Sequence, residues 1–176
     1  MKQLELQFKN PREAQPLPSQ WQLLQEFDYD NRTGLLYRKN KKTNIFRPAG
    51  TINPTTGRRE LTLNLKRYMQ YRIIFKMHTG EEPPIVDHID GNPLNNRLEN
   101  LRAANYSTNQ FNAVLRRDNP FGIKNVYWHK AAKKWHIRIR ANKKIVVSVF
   151  TDDLELAELV AIEGRDKYHG QYARHR

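Results

Sequence analysis

The sequence contains no cysteine among its 176 residues. That excludes disulfides, a thiolate nucleophile and thiolate-bound zinc. It has no apolar run approaching the ~18 residues of a membrane span, so no transmembrane helix is expected. The opening stretch MKQLELQFKNPREAQPLPSQ has no apolar h-region, so no secretory signal is expected either. Apolar residues are scarce at 38%, against roughly 45–50% for an ordinary globular domain. The length allows one or two small domains, each with a modest core. Acidic residues are also few: 18 Asp+Glu against 31 Lys+Arg, a formal charge of +13. This excludes a strongly acidic solvating protein and favours a polyanionic partner.

The basic excess is unevenly placed. Residues 32–76 carry 12 basic and 1 acidic side chain, and residues 116–151 carry 10 and 1. Between them, residues 77–105 carry 2 basic and 5 acidic side chains. Any single basic run is ordinarily a solvated face. Two such blocks around a carboxylate-rich segment point instead to nucleic acid.

Residues 1–20, with Pro11, Pro16 and Pro18, read as a flexible N-terminal arm. FDYDNRTGLLYRK (27–39) reads as two strands around an Asn31–Gly34 turn. A second hairpin is expected from Ala49–Ile52, a turn at Pro54–Gly57, and the alternating ELTLNL at 60–65. RYMQYRIIFKMHTG (67–80) predicts a helix stopped by Gly80, with Pro83 and Pro84 barring its continuation. Then come a short strand at 85–89, an Asn-rich loop at 91–96, a strand at 101–104 and a helix from about 106 to 115. A basic linker, 116–122, precedes three strands at 125–130, 134–141 and 144–150. In the middle strand Trp135, Ile137 and Ile139 alternate with His136, Arg138 and Arg140, giving one apolar and one basic face, with Trp135 assigned to the core. Asp152, with Glu155 three residues on, resembles a capping box for a helix to about Tyr168. Its Leu154, Ala157, Ala161 and Gly164 form a small-residue stripe suited to lying on a sheet.

The expected class is therefore α+β. Hairpins and a helix lead into a strand–loop–strand–helix unit (21–115), and a three-stranded antiparallel sheet packs on one helix (123–176).

Hydrolysing a phosphodiester needs an activated water, neutralised non-bridging oxygens and a stabilised leaving oxygen. A hard divalent cation on oxygen ligands supplies the last two. Histidine is the natural base for the water. Asp87 and His88 are adjacent on the 85–89 strand, and Asn100 and Asn109 are further polar residues downstream. Alternation places adjacent strand residues on opposite faces, so both serve one site only if the strand ends or twists there. The competing reading is a surface Asp–His turn beside asparagines that favour left-handed loop conformations.

The run VDHIDGNPLNNRLENLR (86–102) followed by YSTNQ (106–110) resembles the HNH endonucleases of phage and intron-associated homing type. The resemblance implies a ββα-metal active site, a host-cell cytoplasmic location at DNA, and a catalysed hydrolysis leaving 5′-phosphate and 3′-hydroxyl ends. It implies that Asp87 binds the metal, His88 is the general base, Asn100 orients that base, and Asn109 is the second metal ligand. Asparagine at the last position follows the H-N-N variant and suits Mg²⁺ or Mn²⁺. Asn105 and Asn112 remain alternatives to Asn109. Where the family usually has a His-Arg pair in the preceding helix this chain has Tyr71–Arg72, and Arg72 either contacts a DNA phosphate or packs under the site.

NVYWHKAAKKWHIRIRANKKIVVSVFTDDLELAELVAIEGRDKYHGQYAR (125–174) resembles the DNA-binding domain of plant ethylene-response-factor regulators. The resemblance implies duplex-DNA contacts from Lys124, Tyr127, His129, Arg138, Arg140 and Lys144. Tyr127 and His129 replace arginines of the plant domain, and Asn125 replaces a usual glycine, so site preference does not carry over. The expected protein is thus a metal-dependent DNA endonuclease with a separate reader, acting as a monomer or weak dimer. The alternatives are a catalytically inactive DNA-binding regulator and an RNA-binding protein, the latter disfavoured by a sheet face expected to be mostly cationic.

Overall fold

A computed structural model describes residues 15–115 and 119–175. Most of the expected arm and the first part of the expected linker lie outside the described residues. The chain divides into two compact units. One runs to His88 and includes Pro93–Ala103; the other comprises Ile89–Asn92 and the chain from Ala104 on.

In the first unit, α1 (Gln20–Glu26) starts at a capping box. The Ser19 hydroxyl accepts the Gln22 N–H, and the Gln22 side chain accepts the Ser19 N–H at 3.0 Å. Residues 15–20 are seated rather than loose: Leu17 is buried, and its N–H donates to Glu82 at 2.9 Å. The sheet β1 (Phe27–Asp30), β2 (Leu35–Lys39), β3 (Phe46–Pro48) follows, antiparallel and in sequence order. Asp30 shapes the expected hairpin turn, accepting from the Arg32 N–H and the Thr33 hydroxyl.

A second sheet, β4 (Thr51–Ile52), β5 (Arg59–Leu63), β6 (Lys66–Met69), differs from expectation at its end. The chain reverses at Asn64–Leu65, with φ of 48° and 62°, and returns as a strand where the helix was expected to begin. A two-residue turn with both φ positive normally announces itself as Asn-Gly. Here Leu65, 99% exposed, occupies the second position and carries no such signal.

Helix α2 (Gln70–Thr79) stops at Gly80, whose φ is +75°. Its Ile73, Ile74, Phe75 and Met77 join Leu23, Phe27, Leu36, Leu63, Val86 and Leu101 in one core. The two-stranded ribbon β7 (Ile85–His88) and β8 (Leu101–Ala104) flanks a loop ending in a single 3-10 turn, Leu98–Asn100.

The second unit contains α3 (Tyr106–Phe111), capped by Asn105, whose side chain accepts the N–H groups of Ser107 and Thr108. It is shorter than the expected helix, which fits a polar sequence of middling propensity that buries no residue. Strands β9 (Val126–His129), β10 (Lys134–Ala141) and β11 (Lys144–Thr151) form an antiparallel sheet with β10 central. Helix α4 (Leu154–His169) packs on it. Its cap is Asp153, not the expected Asp152; the Asp153 carboxylate accepts from the Glu155 and Leu156 N–H groups. Val126, Ile137, Ile139, Ala157 and Ala161 are the fully buried core. Gly164 is required where the helix lies closest: a Cβ there would meet Ile139 Cδ1 at 2.4 Å. Leu154 falls outside the stripe and is largely exposed. Asn125 sits at φ +71°, a conformation that asparagine tolerates better than most side chains.

Candidate active site

Strand β7 buries three consecutive residues, Val86, Asp87 and His88. Alternation alone predicts opposite faces for Asp87 and His88, and each has its own partners. The Arg102 guanidinium on β8 donates to Asp87 Oδ2 from Nε at 3.0 Å and from Nη2 at 2.8 Å. This ion pair holds the carboxylate on the ribbon.

His88, the last residue of β7, is 4% exposed. Its Nε2 lies 2.9 Å from Asn96 Oδ1. The Tyr71 ring meets the imidazole edge-on at 5.0 Å, and the Arg58 guanidinium lies 5.2 Å from the centre of the Tyr71 ring. Asn96 is itself 1% exposed, and its Nδ2 donates to Gln70 Oε1 at 2.9 Å. Gln70 Nε2 donates in turn to the Ala49 carbonyl at 2.9 Å.

The loop that carries Asn96 is clamped from the β1–β2 hairpin. The Tyr29 hydroxyl accepts the Leu98 N–H at 2.8 Å and donates to the Asn96 carbonyl at 3.2 Å. Burial is the main cause raising the Tyr29 pKa, which keeps this hydroxyl a donor. Arg97 Nε donates to the Arg32 carbonyl at 2.9 Å. At Gly34 a Cβ would stand 2.8 Å from the Arg97 nitrogen, so the hairpin turn needs glycine for its approach as well as for its φ of +71°. Asn100 is buried, and its Nδ2 closes the same loop by donating to the Asn95 carbonyl at 2.8 Å.

The remaining expected residues fall in varied settings. Arg72 is mostly buried; its guanidinium donates to the carbonyls of Pro83 and Pro84, bracing the segment that leads into β7. Of the three candidate asparagines in the second unit, Asn105 caps α3 and Asn112 is buried at its C-terminus. Asn109 is exposed on α3, and among the described residues no side-chain hydrogen bond engages it. Lys124 Nζ donates to the Phe111 and Ala113 carbonyls, both at 2.7 Å, at the C-terminal end of α3. Burial, with Arg165 and Arg174 adding to it, pushes its pKa down to about 8.

Tyr127, His129, Arg138, Arg140 and Lys144 are exposed on the sheet. That face is not mostly cationic, contrary to expectation. His136 stacks flat on Phe150 at 4.2 Å, His129 meets Phe150 edge-on at 5.4 Å, and the Arg138 guanidinium lies 5.7 Å from the centre of the Tyr127 ring. Burial, then Arg138, lowers the His136 pKa, so His136 adds little positive charge to the face. The sequence places Phe150 at the end of the third strand, 144–150.

Sequence reasoning missed Gln70, Asn96 and Arg102. For Arg102 a signal existed: a charged residue in a short strand whose partner strand carries Asp87. For Gln70 there was none, since one polar residue at a helix start is unremarkable.

Among the described residues, no three His, Asp or Glu side chains gather in a metal cage. The one carboxylate of the ribbon is Asp87, a hard oxygen donor. This suits Mg²⁺, which is commonly held by one or two carboxylates together with waters and substrate phosphates. Among the described residues no helix is long and apolar enough to cross a membrane.

Comparison with known proteins finds a family match over this segment. The HNH endonuclease family pattern matches residues 68–111, the span from β6 through α3. Protein 3.8 of Escherichia phage T7 is 37% identical over 91 residues, covering 52% of this chain and 74% of that protein. No solved structure matches the chain. With Asp87 and His88 buried side by side at the end of β7, inside the matched span, the chain belongs to the HNH endonuclease family.

Proposed function

We propose that this protein is a sequence-recognising, divalent-metal-dependent DNA endonuclease of the homing type, with its catalytic residues in 21–115 and its reader in 123–176. The observation that carries the proposal is the buried Asp87–His88 pair, with Arg102 on the carboxylate and Asn96 on the imidazole. His88 takes a proton from a water molecule, which attacks the phosphorus in line. The P–O3′ bond breaks and the departing oxygen takes a proton from solvent, leaving a 5′-phosphate and a 3′-hydroxyl. Asp87 would hold Mg²⁺ or Mn²⁺, which would supply neutralisation of the phosphate and the departing oxygen. Asn109 as second ligand rests on motif spacing and on its exposed, unengaged amide. Asn100 supports the base by closing the loop that carries Asn96.

The test is cleavage of supercoiled plasmid by wild type and His88→Ala, with and without Mg²⁺. Loss of cleavage with retained DNA affinity is expected. A parental rate in the variant removes His88 as base, and no metal-dependent nicking by wild type leaves the inactive-regulator reading.

Double-stranded DNA is the proposed substrate, read by Arg138, Arg140, Tyr127, His129 and Lys144. Lys124 and Arg72 are set aside from this face because their cationic groups are engaged on backbone carbonyls. The aromatic half of the face favours one second reading, stacking on unpaired bases. Competition between duplex DNA and single-stranded DNA or RNA separates the two.

A further inference from the structure

The hydrogen-bond chain beneath His88 has a direction, and a backbone carbonyl sets it. The Ala49 carbonyl can only accept, so the group facing it from Gln70 must be the amide Nε2–H₂, at 2.9 Å. That orientation turns Gln70 Oε1 toward Asn96, and the group at 2.9 Å from it must be the Asn96 Nδ2–H₂ donor. Asn96 is then obliged to turn Oδ1 toward His88 Nε2, 2.9 Å away. An amide oxygen accepts only, so neutral His88 must carry its proton on Nε2 and its basic lone pair on Nδ1. Both amides are 1% exposed, so solvent is a poor substitute partner, and reversing either amide would set like groups against each other. The polarity of one carbonyl is passed through two buried side chains to the ring.

We propose that Gln70 is a positioning residue for the hydrolysis: through Asn96 it selects the Nε2–H tautomer of His88 and so leaves the basic lone pair on Nδ1. This deepens the reading of His88 as the base. Gln70 touches no substrate in this assignment and acts only through the relay.

The test is ¹⁵N NMR of the histidine ring nitrogens in the full-length chain, at a pH above the histidine range, with His88 identified by its loss in His88→Ala. Wild type is expected to show Nε2 protonated and Nδ1 unprotonated. Gln70→Met keeps similar volume but removes acceptor and donor. It is expected to give a mixture of tautomers and a kcat about tenfold lower, with KM for DNA little changed. Gln70→Glu keeps an acceptor for Asn96; when protonated it also donates to Ala49. It is expected to retain the Nε2–H tautomer and to lose less activity than Gln70→Met.

A wild-type His88 protonated on Nδ1 overturns the proposal, as does a folded Gln70→Met with an unchanged tautomer. If Gln70→Met does not fold, the wild-type and Gln70→Glu spectra decide. Cleavage that survives in His88→Ala removes the base assignment but leaves the NMR result to stand or fall separately.

Discussion

The ribbon site and the sheet β9–β11 use polar side chains in opposite ways. At β7, Asp87, His88, Asn96 and Gln70 are buried and tied into specific hydrogen bonds. On the sheet, Tyr127, His129, Arg138 and Arg140 stand exposed on a face shared with stacked aromatic rings. Burial makes an unsatisfied polar group costly, so the ribbon site is held in one arrangement before any substrate arrives. Exposure leaves guanidinium groups their rotamers and their salt sensitivity, which suits a surface that must adapt to a polyanion. Reaction geometry is thus built into one region, and tolerance into the other.

That contrast makes graded predictions. The largest effect belongs to the ribbon. His88→Ala is expected to lower the cleavage rate by about 10²–10⁴, the usual worth of a general base, with DNA affinity retained in a gel-shift assay. Arg102→Ala removes the guanidinium that grips the buried Asp87 carboxylate. It is expected to cost about 3 kcal/mol in denaturant unfolding, with part of the loss recovered when Mg²⁺ is added. If the variant melts like wild type, the ribbon is no more demanding than a surface and the contrast fails.

The sheet should respond differently. Arg138→Ala with Arg140→Ala is expected to leave stability within about 0.5 kcal/mol. The slope of log binding constant against log salt should fall by about 2, with target preference reduced on long DNA. Unchanged cleavage positions and an unchanged slope would remove this face as the reader.

The smallest effect sharpens the rule from a buried cation of the second unit. Lys124 has its pKa depressed to about 8 in the folded protein, below the ordinary 10.5. Between those values the unfolded chain binds more protons, so stability should rise with pH across that window. Discounted for partial exposure, the gain should be about 1 kcal/mol, read as the difference in pH dependence between wild type and Lys124→Met. A flat difference would mean that solvent reaches the amine freely.

Much of this was legible locally. The hairpin turn at Gly34, the helix stop at Gly80 and the alternation along 134–141 follow from chain geometry that neighbouring residues determine. Asp87, His88 and Asn100 are singled out by a resemblance that lies within one short segment. The failures were also local in cause. Leu65 in a left-handed turn hides a strand reversal, and adjacent Asp152 and Asp153 are equivalent as cap candidates until the helix direction is known.

The sequence by itself determined the chemistry: a carboxylate beside an imidazole, asparagine donors, no cysteine, and positive charge on either side. Only the tertiary structure decided which polar residues cooperate. Asn96 Oδ1 faces His88, Arg102 grips Asp87, and Gln70 reaches Ala49 across 21 positions and Asn96 across 26. Spacing along the chain carries no record of such meetings. They arise because a buried donor or acceptor must find a partner wherever packing has brought one, and packing is a property of the whole core.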